Sequence, residues 1–204
     1  MFMPDLMKGI ITPMKTGTHT VHKVGREMSI KSNGTRPMAM GHINYETIAR
    51  QIFEKRLANN HNEFEIAQHV RDPEKRMVSV LNHCFSNRTS NKRPLPNQEF
   101  CYNCQMAFVD LDEVYDVVRY RKEAVFPPQI HFWNKRVKLF PFEGFPILRW
   151  LGWEEEIPHE FHHGKGSRFT MEMTKGHPIH KLMMEEVGYE RDYELLNRLE
   201  KQIC

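Results

Sequence analysis

The chain has few cysteines, no long apolar run and no strong excess of charge, and each lack removes a class of protein. Four cysteines among 204 residues are too few for the disulfide framework of a small secreted scaffold. No stretch approaches the roughly 18 consecutive apolar residues of a membrane-spanning helix. The opening residues Met1-Phe2-Met3-Pro4-Asp5 lack the basic and then apolar segments of a secretory signal. A reducing, cytoplasmic setting is therefore expected. The formal net charge of +3 is too small to argue for nucleic acid as a partner. The Walker loop Gly-x-x-x-x-Gly-Lys-Ser/Thr occurs nowhere in the chain, which removes the usual cradle for β,γ-phosphates. There is no internal repeat and no low-complexity segment.

What is present reads as a soluble globular protein, with 40% apolar and 27% charged residues and a length suited to one domain. The apolar run from Met7 to Thr12, stopped by Pro13, predicts a buried first strand, and Phe64 to Val70 predicts a second. Val137 to Phe142 predicts another. Helices are expected from Thr18 to about Met28, with Val21 and Val24 inward, and from Asn44 to about Asn59. A third begins at Pro73 with the stripe Met77, Val80, Leu81, Cys84 and Phe85. Further helices are expected over Phe108–Arg121, Phe145–Leu151, residues 178–187 and Tyr193–Ile203, with loops over 31–41, 86–98 and 158–168. Strands alternating with helices imply an α/β fold with a mostly parallel sheet.

Two segments carry the chemistry. Lys15-Thr16-Gly17-Thr18-His19-Thr20 follows the first strand, and Arg71-Asp72-Pro73 follows the second. A strand end, a tight polar turn and a helix start bring backbone N–H groups together, which suits phosphate or sulfate. Gly17 admits an oxyanion close to the backbone. Thr16, Thr18 and Thr20 bring hydroxyls, and Lys15 brings a mobile cation able to follow charge on a bridging oxygen. Two such sites imply a ligand with anionic groups at two places.

These residues resemble the sulfotransferases that use 3′-phosphoadenosine 5′-phosphosulfate (PAPS). The likeness is nearest to the carbohydrate branch, in a soluble form of the kind found in bacteria or their viruses. The first loop of that family runs Pro-Lys-Thr-Gly-Thr-Thr-Ser, against Met14-Lys15-Thr16-Gly17-Thr18-His19-Thr20 here. Met14 and His19 depart from the pattern. The second motif, Arg-Asp-Pro-x-x-Arg-x-x-Ser, is matched by Arg71, Asp72, Pro73, Arg76 and Ser79, about 55 residues downstream. Pro128-Gln129, Phe142-Glu143 and Tyr189-Glu190-Arg191-Asp192-Tyr193 follow in the family's order. The resemblance implies a single P-loop-like domain and sulfuryl transfer to a hydroxyl on a glycan, lipid or small molecule, releasing adenosine 3′,5′-bisphosphate with no metal required. It implies that residues 15–20 hold the donor, that Arg71 and Ser79 bind its 3′-phosphate, and that Lys165 and Ser167 belong to a late loop closing over the nucleotide.

Transfer to a hydroxyl also needs a base. His42, after a glycine-containing stretch and before a helix, is the candidate, with His19 and His131 as rivals. A binder of the same nucleotide without transfer activity would need no base. The string His159-Glu160-Phe161-His162-His163 matches the zinc-peptidase pattern, but Pro158 and Gly164 crowd the helix that chemistry needs. Cys101 and Cys104 form a lone Cys-x-x-Cys without the second pair of a structural zinc site.

Overall fold

The computed structural model describes residues 1–13, 15–38, 42, 44–85, 110–157 and 169–203. The chain divides into two compact units interleaved in sequence: Met1–Arg71 with Gln129–Glu160 and Glu194–Cys204, and Asp72–Pro128 with Phe161–Tyr193.

The first unit is built on a four-stranded sheet in the order β1 (Phe2–Met3), β2 (Lys8–Ile11), β3 (Glu65–Val70), β4 (Val137–Pro141). β2, β3 and β4 are mutually parallel, as the alternating pattern implies. β1 was not expected. A tight turn over Pro4–Leu6 and a left-handed Met7 (φ 51°) fold it back antiparallel on β2, with Phe2 opposite Gly9. The period-two alternation of the strands sorts their side chains to two faces. Ile11, Ile66 and Val137 meet α2 (Tyr45–Glu54) through Tyr45, Ile48 and Ile52. Ile10 and Ala67 meet α1 (Thr18–Lys31) through Val21 and Val24, and α5 (Pro146–Leu151) through Ile147, Leu148 and Leu151. Toward the other strand ends, Leu195 and Leu199 of α8 (Tyr193–Ile203) cover Val70 and Leu139.

In the second unit, α3 (Pro73–Phe85) buries the expected stripe Met77, Val80, Leu81, Cys84 and Phe85. α4 (Leu111–Tyr120), capped by the Asp110 carboxylate, buries Leu111, Val114 and Val118. α6 (Met171–Lys175) was not expected; Thr170 caps it by accepting from the Met173 amide. The predicted helix over 178–187 is α7 (Pro178–Lys181) continued by a wider π turn, Leu182–Glu186.

Several boundaries move for local reasons. α1 runs to Lys31 before Asn33 turns left-handed (φ 49°). α2 stops at Glu54 because Arg56 is left-handed (φ 55°) and the Glu63 carboxylate gathers the Asn59 amide into a turn. No helix among the described residues is long and apolar enough to cross a membrane.

Candidate functional site

The loop after β2 is shaped from within. Thr16 is fully buried, and both its hydroxyl (2.5 Å) and its amide (3.1 Å) donate to the Pro13 carbonyl. Its donors close the turn, so Thr16 builds the cradle rather than facing a ligand. Lys15 (φ 67°) and Gly17 (φ 82°) both take the left-handed backbone. At Gly17 a side chain is also barred by space: a Cβ would stand 2.4 Å from Cε1 of Phe145.

α1 starts at Thr18 with Gly17 at its cap position and no side-chain capping bond. Its first turn therefore keeps its partial positive charge for something outside the helix. Thr18 Oγ1 is buried and makes no hydrogen bond among the described residues, and Thr12 Oγ1 at the end of β2 is the same. A polar ligand at this loop would give both hydroxyls a partner. His19 is exposed and Thr20 buried at the head of α1.

The second loop does not repeat the first. Asp72 Oδ1 accepts from the Lys75 amide, at 2.8 Å, and the Asp72 carbonyl accepts from the Arg76 amide. The expectation that N–H groups at this second turn converge on a ligand is corrected: the protein's own carboxylate occupies the N-terminus of α3. What the second segment offers an anion is the Arg71 side chain.

Arg71 lies one residue beyond the last β3 pair, and its Nη1 donates to the Lys15 carbonyl at 3.0 Å. Its guanidinium carbon lies 4.8 Å over the Phe142 ring, a stacked arrangement that orients the planar fork. Two segments about 55 residues apart in sequence thus meet at the carboxyl ends of adjacent parallel strands, the usual place for ligands in open α/β sheets.

His42 is exposed, with Nδ1 donating to the Thr12 carbonyl at 2.6 Å. In the neutral ring this bond puts the proton on Nδ1 and the basic lone pair on Nε2. It also ties His42 to the residue where β2 gives way to the loop. His22 lies close enough to His42 and His19 to feel their charge. Burial, reinforced by the N-terminus, His42, Arg26 and His19, lowers its pKa to about 4.

Beneath the loop lies a residue that pattern reading missed. His69, on the α1 side of β3, donates from Nδ1 to the Thr16 carbonyl at 3.2 Å and stands edge-on to Phe142 and Phe145. Burial lowers its pKa to about 4, against the opposing pull of the Thr16 bond. Its Nε2 is buried with no hydrogen bond among the described residues. An apolar strand pattern carries no cue for it.

Arg76, the second arginine of the motif, is wholly buried and structural. It lies 3.6 Å from Asp192, donates to the Pro127 carbonyl at 2.8 Å and stacks on Tyr189, 5.0 Å from the ring centre. Tyr189 in turn donates to the Phe126 carbonyl at 2.7 Å. Asp192 and Tyr189 thus join the Tyr189–Tyr193 segment to Arg76 of α3. Ser79 is half-buried on α3, in the second unit. His131 is exposed on the turn Gln129–Phe132. Lys165, Ser167, the His159–His163 string with Glu160, Cys101, Cys104 and the basic loop 86–98 lie outside the described residues. Among the described residues no three His, Cys, Asp or Glu side chains are grouped to hold a metal ion.

Lys15, Thr18, His42 and Arg71 therefore belong to one unit and one end of its sheet, where an uncapped helix, two cations and unsatisfied hydroxyls suit a dianionic ligand. Comparison of the chain with protein-family models, with curated proteins and with solved structures finds no match.

Proposed function

We propose that this chain is a sulfotransferase of P-loop-like fold that moves a sulfuryl group from PAPS to an acceptor hydroxyl in one in-line step. One observation carries the reading: the Arg71 guanidinium meets the carbonyl of Lys15, so two motifs matched in sequence share one strand edge. The uncapped start of α1 and the orphan hydroxyls beside it fit the phosphosulfate of that donor.

In this mechanism the acceptor oxygen attacks sulfur while the bond from sulfur to the bridging phosphate oxygen breaks. The bond's electron pair leaves on that oxygen, where the Lys15 ammonium stabilises the charge that grows in the transition state. The acceptor proton passes to Nε2 of His42, whose ring is held by the Thr12 carbonyl. Arg71 takes the 3′-phosphate through its guanidinium, the planar fork suited to phosphate oxygens.

The test is a transfer assay with sulfur-labelled donor against separate pools of glycans, lipids, small hydroxylated metabolites and tyrosine peptides. Label should move into one pool with the wild type and stay in the donor with Lys15→Ala. Donor consumption unaffected by Lys15→Ala, or no transfer into any pool, contradicts the proposal.

A further inference from the structure

The β3 ladder ends at Val70, opposite Pro141. Arg71, the residue on which the proposed phosphate recognition depends, is thus past the point where a neighbouring strand fixes its backbone. Gln129 replaces that strand. Its Oε1 accepts from the Arg71 amide at 2.9 Å, and its Nε2 donates to the Arg71 carbonyl at 2.8 Å. One amide side chain thus makes both hydrogen bonds that a paired strand residue would make. Gln129 is itself pinned, because its backbone carbonyl accepts from Gln68 Nε2 at 3.1 Å. Both glutamines are fully buried.

The chemistry of the clip is particular to glutamine. It requires one acceptor and one donor at the end of a side chain long enough to span a backbone N–H and C=O. Glutamate would set a carboxylate oxygen against the Arg71 carbonyl, and methionine would fill the space without either bond. A buried amide needs its partners. Holding the Arg71 main chain fixes where its side chain starts, and the guanidinium is then aimed between the Lys15 carbonyl and the Phe142 ring.

We infer that Gln129 is the positioning residue for Arg71, and that its side-chain clip sets selectivity for the 3′-phosphate of the nucleotide. This rests on the function proposed above. A residue that merely supported the fold would alter stability and leave nucleotide selectivity alone.

The experiment compares the affinities of adenosine 3′,5′-bisphosphate and adenosine 5′-phosphate for wild type, Gln129→Met and Ile66→Val by calorimetry. Ile66, buried on the same strand, gives a destabilised control that does not touch the clip. Selectivity for the bisphosphate should fall about tenfold or more in Gln129→Met, since tenfold corresponds to about 1.4 kcal/mol, a hydrogen bond's worth of misdirected charge. Affinity for the monophosphate should stay within about twofold of the wild type, and Ile66→Val should keep the wild-type ratio. An unchanged ratio in Gln129→Met, or an equal fall in Ile66→Val, overturns the inference. A wild type that does not prefer the bisphosphate refutes the function proposed above, and the selectivity role falls with it; a wild type that prefers it, with an unchanged ratio in Gln129→Met, refutes the role of Gln129 alone. Should Gln129→Met not fold, amide exchange in the wild type decides: a slowly exchanging Arg71 amide supports the clip, and exchange as fast as an open loop's overturns it.

Discussion

Nη1 of Arg71 donates to the carbonyl oxygen of Lys15 at 3.0 Å. The bond joins the end of β3 to the loop after β2, and it turns two separate sequence motifs into one cationic edge. It also explains why the first loop can hold left-handed backbone at both Lys15 and Gly17. Lys15, the residue with a Cβ, is held by Arg71 on its carbonyl, and the neighbouring Thr16 carbonyl is held by His69.

Gly17→Ala tests how far that loop is determined. The left-handed backbone alone costs a residue with a Cβ about 1–2 kcal/mol, and the contact with the Phe145 ring adds overpacking of about 1–3 kcal/mol. Denaturant midpoints should show both losses in Gly17→Ala. Measured in a Phe145→Ala background, Gly17→Ala should cost only the backbone share. A single variant as stable as the wild type would mean that the loop has another shape.

Burying His69 neutral has a pH signature. The folded ring titrates at about 4, while an unfolded histidine titrates near its ordinary value of about 6.5. On acidification the unfolded chain takes the proton first. The stabilisation is complete above about pH 6.5 and is lost as pH falls toward 4, by roughly 3 kcal/mol for this residue. His22, also lowered to about 4, adds in the same direction. Urea unfolding at pH 7.5 and 4.5 should show a smaller acid loss in His69→Gln than in the wild type. Equal losses would mean that His69 does not carry the effect.

The buried pair Arg76 and Asp192 should behave as a unit. Asp192→Asn leaves a guanidinium buried without its counter-charge, which costs about 3–5 kcal/mol. Replacing both, as Arg76→Met with Asp192→Leu, should cost less than the sum of the single changes. Additive losses in the double-mutant cycle would show that the two charges do not interact.

Much of this was readable in the chain because it depends on short apolar runs with sharp ends. Ile10-Ile11 before Thr12-Pro13 and Ala67 to Val70 before Arg71-Asp72-Pro73 announce strands that stop where polar turns begin. The meeting of Lys15 and Arg71 followed from the parallel order of those strands. What was not readable depends on single hydrogen bonds. Asp72 capping α3, Gln129 clipping Arg71 and His69 supporting Thr16 have no periodicity. β1, with two residues, is too short for its own pattern and exists because Met7 turns left-handed.

The proposed chemistry separates binding from turnover. Lys15→Ala should lower turnover more than donor affinity, because its charge acts on an oxygen that becomes negative only in the transition state. His42→Ala should lose roughly a hundredfold or more in turnover, the scale of a general base, with donor binding nearly unchanged. Single-turnover rates and nucleotide affinities measured on both variants check this. A His42 variant near full activity at neutral pH would pass the role to His19 or His131.

The central claim is that the edge formed by Lys15 and Arg71 recognises a nucleotide with anionic groups at two places. Calorimetric titration of the wild type and Arg71→Ala with adenosine 3′,5′-bisphosphate and with adenosine 5′-phosphate tests it most directly. A charge-assisted contact of about 2 kcal/mol predicts a preference of tens-fold for the bisphosphate in the wild type, and little or none in Arg71→Ala. Equal affinity of the wild type for the two nucleotides, or a preference that survives the loss of Arg71, would contradict the claim.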